Sequence, residues 1–124
     1  MTTTNSQPKI PTQIQQQVAM FQQVQQQLQQ VSSQKLQYEM TLRETKRALE
    51  ELNSVSEDTI VYSSVGSILI QKKKDAVISD LKEKIDSIEL RVGSLEKQEK
   101  TMADKANMLQ KQVKDAIANS SGKQ

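Results

Sequence analysis

The 124-residue chain contains no cysteine, no histidine and no tryptophan. Without Cys or His there is no zinc site of the usual kind, no thiol nucleophile and no disulfide. The missing imidazole also excludes a Ser-His-Asp triad and a histidine proton shuttle. Aromatics are limited to Phe21, Tyr38 and Tyr62, and there are only three Gly and two Pro. Long loops and many-stranded sheets need more punctuation than that. An apolar fraction of 35% is too low for a large globular core. No run of about 18 apolar residues occurs, so no membrane-spanning helix is expected. Met1 to Lys9 is polar throughout and lacks the apolar stretch of a secretory signal. The expectation is an intracellular, cytoplasmic protein. Net charge is +2, from 17 basic and 15 acidic residues. A chain so near balance is not built to attract nucleic acid or an anionic membrane.

What the sequence does contain is long heptad repeats. With position a at Ile14, Phe21, Leu28, Lys35, Leu42 and Leu49, position d falls on Gln17, Val24, Val31, Tyr38, Thr45 and Leu52. Nine of these twelve are apolar or aromatic, with no break in the repeat, which predicts a coiled-coil helix over 12–53. Thr12 is the expected cap, with Gln15 at the capping-box spacing. A second repeat places Ile78, Ile85, Val92, Glu99, Ala106 and Val113 at a. Its d positions are Leu81, Ile88, Leu95, Met102, Leu109 and Ala116. Here eleven of twelve are apolar, predicting a helix over 75–118 with Asp75 as N-cap.

Between the helices, residues 54–74 change character to β-branched residues, serine and one glycine. Ile60-Val61-Tyr62 and Ser67-Ile68-Leu69-Ile70-Gln71 read as two strands, with a turn at Ser64-Val65-Gly66. The domain reading is a single unit over 1–124. It comprises a disordered tail 1–11, helix 12–53, hairpin region 54–74, helix 75–118 and tail 119–124. Two helices of matched length joined by a short segment favour an antiparallel two-helix coiled coil, mainly α, with the β-hairpin at the connecting end.

A lone two-stranded hairpin is marginal in water, and this one exposes apolar residues and unpaired edges. Ile60, Tyr62, Val65, Gly66, Ile68 and Ile70 are therefore the candidate oligomerisation residues. The opposite end differs. No charge occurs from Ile10 to Gln34, and 13 of the residues 13–37 are glutamine. Val18 and Met20 lie off the seam near Phe21. Met108 and Ile117 lie off it beside Leu109 and Val113. This end suits sequence-tolerant binding of apolar polypeptide, or its extra apolar residues simply widen the seam. Lys72-Lys73-Lys74 reads as a solvated edge blocker, and Asp80/Lys84 as one of several surface i,i+4 pairs. With no Gly-rich phosphate loop, no GxSxG and no clustered carboxylates, no cofactor, metal, ATP site or enzymatic activity is expected.

The segment ALEELNSVSEDTIVYSSVGSILIQKKKDAVISDLKEKIDSIELRV, residues 48–92, resembles the β-type subunits of prefoldin, most like the archaeal ones. The resemblance is carried by Ile60-Val61-Tyr62, Val65-Gly66-Ser67-Ile68-Leu69-Ile70 and Leu81-Lys82-Glu83-Lys84-Ile85, and it spans about residues 10–117. It implies a chaperone hexamer of two α-type and four β-type subunits whose hairpins assemble into intersubunit β-barrels. It also implies ATP-independent capture of unfolded proteins at the coil tips and transfer to a cytosolic chaperonin. Mapped here, the client-binding set is Ile14, Val18, Phe21, Met108, Leu109, Val113 and Ile117. The competing reading is a structural coiled-coil scaffold or tether that binds no client.

Overall fold

The computed structural model describes residues 11–122; the expected tail 1–11 lies outside it except for Pro11. The elements run α1 (Thr12–Ser54), β1 (Val61–Val65), β2 (Ile68–Lys72) and α2 (Lys74–Gly122). Two compact units divide the chain. Of the described residues, one contains those up to Ser32 with those from Lys97 onward, the other Ser33–Glu96.

The heptad repeats decide what is buried. Ile14, Val24, Val31, Ile85, Ile88, Val92, Leu95, Ala106 and Leu109 form the buried apolar set, and Thr45 is the buried polar residue. All ten stand at assigned a or d positions. In the first unit Val24 packs with Ala106 and Leu109, flanked by Phe21 and Met102. Ser32, later in α1, reaches back to Glu99, earlier in α2. Rising numbers on one helix meet falling numbers on the other, so the two segments run antiparallel. In the second unit Leu95 is the most enclosed side chain, 1% exposed. Thr45 enters that seam because its hydroxyl donates to the Thr41 carbonyl at 2.7 Å, which satisfies the polar group locally. Tyr38 stays at the seam edge, with the Arg91 guanidinium 5.7 Å from its ring centroid.

The helix ends differ from the sequence expectation in small, physical ways. The Pro11 carbonyl accepts from Gln15 N–H at 3.1 Å, so Pro11 occupies the cap position and Thr12 is the first helical residue. The Lys73 carbonyl accepts from Val77 N–H at 3.2 Å. Asp75 therefore lies inside the first turn, where its carboxylate favours the helix dipole. At the far end α2 continues past Ala118 to Gly122, because no strong breaker precedes that glycine. The hairpin turn is Gly66-Ser67, one step later than expected. Val65 pairs directly with Ile68, and Gly66 leads the two-residue loop at φ 61°, a conformation glycine adopts without steric cost.

Candidate functional site

The hairpin comes first. The register pairs Val61 with Lys72, Ser63 with Ile70 and Val65 with Ile68 on one face. Tyr62 with Gln71 and Ser64 with Leu69 share the other. Among the expected assembly residues, Val65, Ile68 and Ile70 thus share a face with Val61. Tyr62 lies on the opposite face, and Ile60 precedes the strand. Ile60, Tyr62, Val65, Ile68, Leu69 and Ile70 are all exposed. Both faces therefore present apolar area, and each strand has an open edge. Leu69, the most exposed of these at 69%, is missing from the expected set. Its alternation with Ile68 and Ile70 is the signal that marks it.

The base of the hairpin is held by its lysines. Lys74 Nζ donates to the Val55 carbonyl at 2.8 Å and lies 3.6 Å from Glu57, with only 10% of its side chain exposed. Lys72 pairs with Asp80 at 3.2 Å, so Asp80 faces the strand and not Lys84. This corrects the reading of the three-lysine run as a solvated edge: Lys72 and Lys74 tie the connecting segments together, and Lys73 alone is exposed. Burial and a main-chain acceptor give Lys74 more leverage than an exposed ion pair would have.

In the other unit the terminal segments of α1 and α2 bring Ile14, Gln15, Val18 and Ile117 around a depression of about 380 Å³. Ile14 and Leu109 belong to the buried seam, and Met108 and Ile117 are exposed. Val18, Phe21 and Val113 are half-buried. The expected client-binding residues thus divide into a seam floor and an accessible rim. Met20, also exposed, lies on the same helix turn as Phe21. Gln17 at a seam position has its amide oxygen buried with no hydrogen-bond partner. No cluster of acidic side chains capable of holding a metal ion occurs among the described residues. Nor is any helix among them long and apolar enough to cross a membrane.

Antiparallel helix pairing in the first unit and one exposed β-hairpin in the second define a coiled-coil protein with a β-hairpin between its long helices. The prefoldin subunit family model matches residues 15–120, and the chain belongs to that family. It is 45% identical over 108 residues to the prefoldin subunit beta of Methanospirillum hungatei, covering 87% of this chain and 90% of the relative. The prefoldin subunit beta of Archaeoglobus fulgidus is 40% identical over 114 residues, covering 92% and 98%. The crystal structure of the prefoldin beta subunit from Thermococcus strain KS-1 superposes with a TM-score of 0.82 at 38% identity, covering 89% of this chain and 96% of that one. The chain is therefore a chaperone subunit of a non-enzymatic class that assembles with α-type subunits, and the inert-scaffold reading is disfavoured.

Proposed function

We propose that this chain, acting as one prefoldin-like domain in the cytoplasm, captures non-native polypeptides without ATP and passes them to a cytosolic chaperonin. Four copies would join two α-type subunits, their hairpins combining into shared β-barrels. An open hairpin with apolar area on both faces supports the second part, since barrel closure removes exposed edges. The capture reading is carried by the apolar depression formed by Ile14, Gln15, Val18 and Ile117, set in a segment of α1 free of charge. Exposed apolar concavities of this kind bind apolar chains, and several weak copies in one assembly add by avidity.

The test is removal of residues 1–20 together with 114–124 from every β-type copy. These deletions spare the hairpin and its supporting unit, Ser33–Glu96. The expected result is an assembly of proportionately reduced mass that no longer suppresses aggregation of an unfolded protein. Suppression at the original stoichiometry would reject the terminal segments as the capture site.

A further inference from the structure

We propose that capture has a second component: a track of side-chain amides on α1 that binds the main chain of an extended non-native polypeptide. This rests on the capture reading above and extends it from apolar side chains to backbone. Gln15, Val18 and Gln22 follow at steps of three and four, and the adjacent Gln25 and Gln26 each stand three or four residues from both Gln22 and Gln29, which places all six along one broad helix face. The apolar depression opens at the start of this face. Further along lies a groove of about 580 Å³ lined by Gln22, Gln25, Gln26, Leu28, Gln29 and Ser32. These four glutamines are exposed.

The occupant follows from the chemistry of the lining. A primary amide has two N–H donors and a carbonyl acceptor, the same kinds of group as a peptide unit. It pairs with main-chain N–H and C=O whatever side chains the client carries. No charged residue occurs from Ile10 to Gln34, so this wall neither selects nor repels clients by charge. The α2 segment of the same unit is different: it carries Lys97, Lys100, Lys105, Lys111 and Lys114 with Glu99, Asp104 and Asp115. An indifferent main-chain binder therefore fits the α1 face and not the α2 face. From Gln15 to Ser32 the helix rises ~25 Å, enough for about eight residues of extended chain. Continuity with the apolar depression lets one client place side chains in the depression and backbone on the amides.

The test uses the complete complex with its α-type partner and two fluorescent probes read by anisotropy. One is an uncharged, apolar peptide of about eight residues; the other has the same sequence with alternate peptide nitrogens methylated, which removes donors from one edge. The unmodified peptide should bind about tenfold more tightly. The ratio should change less than about twofold between about 50 and 500 mM salt. Replacing Gln22, Gln25, Gln26 and Gln29 together by Met, similar in length and in helix propensity, should bring the ratio close to one. Equal binding of the two peptides to the unaltered complex overturns the amide track while leaving the apolar tip intact. Binding of neither overturns both. A Met variant that changes the mass of the complex but keeps the ratio assigns the glutamines to contacts between copies, and also overturns the proposal.

Discussion

Ser32 Oγ donates a 2.6 Å hydrogen bond to Glu99 Oε2, joining residues 67 apart in sequence. Glu99 stands at a seam position between Leu95 and Met102. A carboxylate there is tolerated because a hydroxyl on the facing helix supplies a donor, and the pair selects one alignment of the helices. Ser32→Ala should lower stability by about 1.5–3 kcal/mol, the range for a hydrogen bond to a charged group. Glu99→Leu should instead raise the melting temperature, since it extends the apolar seam. Thermal unfolding followed by circular dichroism checks both signs.

Leu95 is 1% exposed, whereas Leu90, five residues earlier on the same helix, is 78% exposed. Leu95→Ala should cost about 2–5 kcal/mol. Leu90→Ala should stay within about 0.5 kcal/mol of the parent. Urea unfolding of the two variants side by side measures the contrast; similar costs would mean that the seam is misassigned.

Gly66 and Gly93 lead to opposite outcomes on substitution. A β-carbon added to either would meet nothing within 4 Å, so backbone conformation alone separates them. Gly66 has φ +61°, and Gly66→Val should cost more than about 1 kcal/mol through strain. That loss should register as weaker assembly in analytical ultracentrifugation. Gly93 lies inside α2, where Gly93→Ala should stabilise by up to about 1 kcal/mol.

Ile68 lies opposite Val65 at the turn end of the hairpin. Ile68→Asp would bury an unpaired charge wherever this face meets another subunit, at a cost of several kcal/mol. The expected outcome is loss of assembly with helical content retained, read by light scattering and circular dichroism together. An unchanged mass would exclude this strand face from the interface.

Much of this architecture is legible in the sequence because heptad spacing is a strong signal. Ile14, Val24, Leu95 and Leu109 can each be assigned to the interior from position alone. The hairpin is legible in outline from its β-branched residues, but the same residues suggest a turn one step too early. Gly66 is marked for positive φ by its type. Whether it opens or closes the loop depends on strand pairing, which neighbouring residues do not reveal. The burial of Lys74 is hidden for a related reason. It arises where the chain from α1 passes the start of α2 and offers the Val55 carbonyl, 19 residues away in sequence. Glu99 reads as a polar interruption of the seam; that Ser32 faces it requires the alignment between helices. At the terminal ends the apolar character is legible, but the split into buried floor and open rim is not.

The unbroken heptad repeat also acts as a ruler graduated in sevens. In the first unit, residues whose numbers add up to about 130 face one another: Phe21 meets the layer of Leu109, and Ser32 meets Glu99. Excising residues 21–27 together with 103–109 removes one graduation from both sides, about 10 Å of rise, and leaves every remaining layer matched. Excising either stretch alone sets all later layers out of step. The length of this helical pair is thus adjustable only in paired whole heptads, and intermediate lengths are closed to it.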